Sequence, residues 1–402
     1  VPTALKIADF RFLLAGNLIS GLGSGVLVVA LPYQVFRLTG STAATGLTLA
    51  AESLPALLVG PVAGVFVDRW DRRRLMIATD LLRAVAVAGI LLADRPDRLA
   101  WLYVALVVEN LGSVFFRPAA RALVPMVVGT GPELVSANSL VALDNGIVRL
   151  VGPPLGAVLL SLFGLSALVL LDVASYLVSA LMIMSTRVRV RPTAVGRIGA
   201  VLAELGAGLR FIGHQRTLRG LLLVSVTFFT ANGVFTALLI PYMTTRFGNH
   251  PEVIGYLLSA LGIGYLLGAP LAARLVRRRP PAVLLVLAQA GVGACFMTLA
   301  NAPTAAVAIL AGGLAGLPGS LLLVTVQTTI QRATPDPLRG RTGATFFAGD
   351  AFADLTGALV GATCGASGRL SLVLTASAGV ILLAAMLVPV ILSERVVSVR
   401  QR

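Results

Sequence analysis

Twelve predominantly apolar runs, each long enough to carry a helix across a hydrocarbon layer, follow one another along this 402-residue chain. They fall at 12–36, 43–67, 75–93, 100–122, 138–163 and 165–184, then, after a polar interval, at 221–244, 253–276, 282–300, 304–330, 342–366 and 370–392. A helix that is apolar on every side needs lipid or other helices around it. The expected class is therefore an all-α integral membrane protein with twelve transmembrane helices. The first run has no small-residue cleavage site and is as long as its successors, so it is expected to be a retained span rather than a signal peptide. A chain opening on Val1 is expected to be trimmed or processed.

Charge sets the orientation. The formal charge is +15, yet only 12% of residues are charged against 57% hydrophobic. The arginines cluster at the ends of apolar runs, where they orient helices and meet anionic lipid headgroups, so nucleic acid is not an expected partner. With the N-terminus inside, roughly 25 basic residues face the cytoplasm and roughly 5 face out, while Arg83 and Arg149 stay within helices. Both termini are expected to be cytoplasmic, in the plasma membrane. Cys295 and Cys364 lie in apolar runs and His214 and His250 are far apart, so neither a disulfide nor a metal site is read. No nucleotide-binding loop and no catalytic constellation of His, Cys or paired acids recurs, which argues against an enzyme.

The polar interval divides the chain into 1–185, a linker at 186–220, and 221–402. Within the linker Ile198, Val201, Leu202, Leu205, Leu209 and Ile212 recur at helical spacing, the pattern of an amphipathic helix lying in the headgroup region. The halves look like degenerate copies: 132–157 and 336–362 share an opening turn, an inner-end aspartate and a closing glycine-alanine pair. Such a repeat argues for alternating access rather than a channel.

Between the second and third runs stands GPVAGVFVDRWDRRRL, 60–75. Its Gly64, Asp68, Arg69, Arg72, Arg73 and Arg74 resemble the signature loop of the major facilitator superfamily, although Asp71 stands where that family usually has glycine. The resemblance implies two six-helix bundles with the substrate site between them, and a charged latch in which Asp68 pairs with Arg72 or faces a helix N-terminus. The alternative is that these arginines only fix topology. In the fifth run Gly152, Pro153 and Gly156 resemble a motif of drug:proton antiporters, with Ala157 in place of its last glycine, and could equally serve ordinary helix packing. The stretches at 29–47, 117–128, 208–211 and 327–341 look like the branch containing macrolide efflux proteins and the enterobactin exporter. The segment RPAARALVPMVV followed by ELVSAN is also similar to the lysophospholipid flippase of the same superfamily.

Acids inside spans are costly and so point to function or to a partner. Glu52 and Glu109 fall about midway along their runs, and Asp350 and Asp354 share a helix face. These four are the candidate proton carriers. Asp80 with Arg83, and Asp144 with Arg149, are expected to be structural ion pairs. If the usual arrangement of the family holds, Asn17, Gln34, Asn110, Phe228, Phe229, Asn232 and Gln327 line the substrate cavity. That wall suits a bulky amphipathic ligand. The resulting expectation is a monomeric, proton-coupled exporter of amphipathic small molecules such as drugs or siderophores. Its partners are protons, membrane lipids and cargo, it needs no cofactor beyond the proton gradient, and a lysophospholipid flippase is the alternative.

The arginine asymmetry makes a direct prediction. Cysteines placed at Asp97 and Arg369 should react with an impermeant thiol reagent added to intact cells, and one at Arg277 should not. Labelling at Arg277 without permeabilisation reverses the topology.

Overall fold

The computed structural model describes residues 3–93, 95–129, 131–188, 198–248, 250–335 and 338–392. Among them the chain is helical, with short 3-10 turns at Thr3–Lys6, Gly89–Leu92 and Pro96–Arg98 and no strand. Four helices open it: α1 (Ala8–Thr39), α2 (Thr42–Arg69), α3 (Arg72–Ala88) and α4 (Leu99–Val128). The helical stretch Pro132–Met184 is broken at Gly164, whose φ of 75° suits a residue without a Cβ, and so makes two helices, α5 (132–163) and α6 (165–184). The remaining helices are α7 (Ile198–His214), α8 (Arg216–Phe247), α9 (Pro251–Leu275), α10 (Pro281–Ala300), α11 (Ala305–Ala333), α12 (Arg339–Gly365) and α13 (Leu370–Leu392).

Ten stretches of the described residues are long and apolar enough to cross a membrane, and one of them, Glu133–Met184, spans the Gly164 break. Divided there, it supplies two crossings. Arg339–Gly365 has the length but carries Arg341, Asp350 and Asp354, and is not among the ten. Outward-facing Leu58, Val85, Trp101, Leu162, Leu310, Phe347 and Met386 are exposed large apolar side chains, the belt that a lipid-facing helix surface presents.

The chain forms two compact units. The first comprises Val1–Leu202 with Thr236–Ser259 and Ala358–Gly368, and the second Ala203–Phe235, Ala260–Gly357 and Arg369–Arg402. A single cut near residue 200 does not separate them, because the far ends of α8 and α12 and the start of α9 group with the first unit. Small residues make that grouping possible. Thr42 Oγ1 donates to the Ala362 carbonyl at 3.1 Å, and a Cβ on Gly46 would lie 2.1 Å from the Ala362 Cβ. Gly255 of α9 lies against Ala157 and Pro154 of α5 in the same way.

Within the first unit the tightest seam runs between α1 and α5. A Cβ on Gly152 would lie 2.9 Å from the Gly25 Cα, and one on Gly156 would lie 2.1 Å from the Val26 carbonyl oxygen. The glycines of the antiporter-like motif therefore let two backbones touch, as small residues do between membrane helices. One end of the unit is closed by an apolar core of Phe10, Leu13, Met76, Phe116, Leu123 and Ile183. The second unit has its own core, in which Leu218, Leu221, Val224 and Phe228 of α8 meet Leu285, Leu322, Phe346 and Ile381. α7 joins this core through Ile212, while Leu209 is 57% exposed. That division is the one an amphipathic helix requires, although the side chains of 198–205 lie outside the described residues.

The loop after α2 is tied down locally. Asp71 caps α3, its Oδ1 accepting from the Arg74 amide at 3.1 Å, which is the work of an N-cap carboxylate and explains an aspartate in place of glycine. Arg73 reaches the last turn of α6, donating to the Ile183 carbonyl at 3.2 Å and the Met184 carbonyl at 2.5 Å. A cation there offsets the negative end of the helix dipole. Arg72 Nη1 lies 3.0 Å from Met126 Sδ. The side chains of Gly64 and Asp68, on which the latch expectation depends, lie outside the described residues.

The α1–α5 seam makes the next prediction. Gly156→Leu should lower stability by about 2 kcal/mol or more, because the added side chain meets backbone rather than a movable group. Gly146→Ala, on the same helix with nothing within 4 Å of the new Cβ, should be neutral. Thermal unfolding in detergent measures both, and equal melting temperatures would show the seam to be loose.

Candidate functional site

A cavity of about 600 Å³ lies inside the first unit, within the size range of a drug-sized ligand site. Its wall takes Asn17, Ser20, Ser24, Leu27 and Leu31 from α1, Glu52 from α2 and Arg83 and Val87 from α3. From α4 come Leu106, Glu109, Asn110, Ser113, Phe116, Arg117 and Arg121. Asp144, Val148 and Arg149 of α5 and Asp172 of α6 complete it. Apolar faces alternate with charged ones. All these residues belong to one compact unit.

Glu109 is the best-held carboxyl of this wall. Its Oε1 accepts from the Tyr176 hydroxyl at 2.7 Å and from Ser113 Oγ at 3.0 Å, and its Oε2 accepts from Asn110 Nδ2 at 2.7 Å. Ser24 Oγ lies 2.8 Å from the same tyrosine oxygen. One hydroxyl of α6 therefore ties α4 to α1 at the acid. A carboxylate between membrane helices needs such donors, because no water replaces them.

Beneath this group sits a buried ion pair. Arg83 Nη2 donates to Asp80 Oδ1, Ser179 Oγ donates to Asp80 Oδ2 at 2.8 Å, and both charged side chains are almost wholly inaccessible. Arg83 Nη1 also reaches Ser113 Oγ at 3.4 Å. Its guanidinium carbon lies 4.1 Å from the Phe116 ring centre and 4.5 Å from that of Tyr176. A cation between two ring faces gains from both quadrupoles. Asp80 and Arg83 thus form the expected pair, and through Ser113 it joins the Glu109 network.

The other expected pair does not form. Asp144 Oδ2 accepts from Asn17 Nδ2 at 2.5 Å, its Oδ1 is buried without a partner, and Arg149 makes no ion pair with it. The two are five apart on α5, and positions five apart do not share a helix face. Arg117 and Arg121, counted from the sequence with the cytoplasmic edge, instead lie two to three turns inside the end of α4 and line the cavity. Asp172 accepts from Ser175 Oγ at 3.1 Å.

The expected cavity residues separate. Asn17 and Asn110 line the cavity, whereas Gln34, half-buried on α1, is not among its lining residues. Phe228 is a core residue of the second unit rather than a cavity wall: it is 3% exposed and meets Phe229 edge-on at 5.2 Å. Gln327 is exposed. In that unit Asn232 Nδ2 donates to Asp354 Oδ1 at 2.9 Å and Ser225 Oγ donates to Asp350 Oδ1 at 2.5 Å, so each aspartate has a local donor. Tyr176 was missed from the sequence. Its signal was present: Asp172, Ser175, Tyr176 and Ser179 form a polar stripe at helical spacing in an otherwise apolar run.

A family model described as transmembrane secretion effector matches residues 2–398. The multidrug efflux pump Tap of Mycolicibacterium fortuitum is 28% identical over 352 residues, 84% of this chain and 85% of that protein. Macrolide efflux protein A of Streptococcus pyogenes is 26% identical over 267 residues, 64% of each chain. Among solved structures, the nucleoside transporter NupG matches with a TM-score of 0.78 at 11% identity, covering 95% of this chain and 99% of that one. A bacterial homologue of the iron transporter ferroportin matches with a TM-score of 0.76 at 16% identity, covering 96% and 99%. At such identities the structural likeness shows the fold, and it is the one expected from the sequence.

The buried pair is testable by a double-mutant cycle. Arg83→Met alone strands the Asp80 carboxylate and should cost about 3 to 5 kcal/mol of stability, whereas Arg83→Met combined with Asp80→Asn should cost distinctly less. Additive losses in chemical unfolding would mean that the two residues act independently.

Proposed function

The chain belongs to the transmembrane secretion effector family of the major facilitator superfamily, and from that membership we propose that it is a proton-coupled exporter of amphipathic small molecules. It is a transporter and not an enzyme. The efflux names of its relatives support export as the direction and drug-like molecules as the cargo. The reading places it in a bacterial plasma membrane as a monomer, with both termini cytoplasmic and the proton gradient as its energy source.

The observation that carries the coupling is Glu109, a titratable group in the wall of a drug-sized cavity, bound by three donors from two helices. Protonation turns one lone pair of the carboxyl into an O–H donor and weakens the acceptor strength of the rest, so a hydroxyl now donating to Glu109 is held less tightly and can turn away. Tyr176 and Ser113 carry rotatable hydroxyls and can do so, whereas the Asn110 amide cannot invert its role without flipping. Tyr176 also touches Ser24, so loss of its bond to Glu109 loosens α6 and α1 from α4 together. A proton and a cargo molecule that meet in one cavity are linked, and each shifts the affinity of the other. Repeated switching between two access states turns that linkage into uphill transport. Asp354 and Asp350, each with one local donor, are the second candidates for the proton, and Glu52 shares the cavity with Glu109.

In proteoliposomes Glu109→Gln should keep cargo binding and abolish accumulation driven by a pH gradient, with the pH dependence of cargo affinity lost as well. Asp354→Asn is the matched comparison. Uphill accumulation by both variants removes these proton sites, and an unmodified protein that never responds to a pH gradient removes antiport itself.

A further inference from the structure

The cavity contains guanidinium groups that the coupling reaction does not use. Of its four arginines, Arg83 is bound to Asp80. Among the described residues, Arg117, Arg121 and Arg149 form neither a hydrogen bond nor an ion pair. The carboxyls are mostly committed: Glu109 has three donors, Asp144 has Asn17 and Asp172 has Ser175. Glu52, the remaining one, lies within electrostatic reach of Glu109, not of an arginine. The donors left without a direct contact in this wall are therefore guanidinium groups, of which Arg117 lies within electrostatic reach of Glu109.

Position strengthens the point. Arg149 stands seventeen residues into a helix that runs from 132 to 163, which puts it near mid-span, exposed and lining the cavity, the setting in which a charged residue marks a substrate path. Arg117 and Arg121 are four apart and share one face of α4. Two like charges on adjacent turns repel unless an anion lies between or beside them. Arg117 is eight residues from Glu109 on the same helix, about 12 Å along the axis. Leu27, Leu31, Leu106 and Phe116 supply apolar wall in the same cavity.

We infer that the cavity takes an amphiphile with an anionic head, a carboxylate or phosphate, held by Arg117, Arg121 and Arg149, with its apolar part against Leu27, Leu31 and Phe116. This rests on the cavity being the cargo site of the proposed exporter and narrows its cargo class. Guanidinium groups match both oxyanions through paired N–H donors. A membrane lysolipid and a soluble organic acid present the same head chemistry.

Binding to the purified full-length protein tests the inference with three fluorescent probes sharing one twelve-carbon chain: the carboxylic acid, its methyl ester and the trimethylammonium cation. The acid should bind at least about tenfold more tightly than the cation, without any mutation being needed. Arg149→Gln and Arg117→Gln should each weaken the acid about tenfold and leave the ester unchanged, and Arg149→Lys should keep most of the preference. Displacement of the bound acid by lysophosphatidic acid but not by lysophosphatidylcholine assigns the head to a lipid, and failure of both to displace it assigns the head to a soluble acid. A cation bound as tightly as the acid, or an ester weakened in step with the acid by the glutamine variants, overturns the inference. The transport reading fails separately. A protein that prefers the acid yet moves no probe against a pH gradient disproves the exporter mechanism alone, and one that pumps only the cation disproves the anionic head alone.

Discussion

Charge between membrane helices has to be compensated by the protein, since the hydrocarbon around it offers nothing. In this chain the largest such cluster is built around Arg83, whose Nε alone among its nitrogens stays buried without a hydrogen bond. The guanidinium binds Asp80, reaches Ser113 and lies between the rings of Phe116 and Tyr176, while Ser179 donates to the second oxygen of Asp80. Residues of α3, α4 and α6 are thereby fixed to one another. Tyr176 then has its ring on Arg83 and its hydroxyl on Glu109, so the structural pair and the candidate proton site share a side chain. The contacts are continuous: the buried pair holds the tyrosine ring, and the tyrosine hydroxyl holds the acid.

Small residues provide the second condition. Hydrophobic burial gives membrane helices little reason to choose one neighbour over another, so close backbone approach and interhelical hydrogen bonds decide the contacts. Gly25, Gly152 and Gly156 bring α1 and α5 into backbone contact, and Asn17 on α1 then reaches Asp144 on α5. Larger residues along the seam would hold the helices apart and break that hydrogen bond. The glycines of the antiporter-like motif in α5 thus take part in packing against α1.

The relatives and the solved structures speak to different levels. Likeness at 11% and 16% identity establishes the architecture alone, and a fold carries function only through its sites. The efflux relatives, at 28% and 26%, narrow the direction and the type of cargo. The cavity adds a third level: three arginines without a direct hydrogen bond or ion pair face the same space as an acid with three donors.

Apolar run length determined the placement of most of the helices, including the division at Gly164, because a bilayer crossing demands about 20 residues whatever the neighbours are. The Asp80–Arg83 pair was legible too, being local to one helix turn, and so was the helical period of α7. The pairings between distant residues were not. Asp144 took Asn17, 127 residues away, rather than Arg149 on its own helix, and Glu109 took Tyr176, 67 residues away. Phe228 went to the core of its unit instead of a cavity wall, since an aromatic in an apolar run carries no mark of which helix face will be covered. Sequence spacing specifies what one helix can do along its own axis, whereas rotation about that axis, and hence the partner of every buried polar group, is decided only when the helices pack.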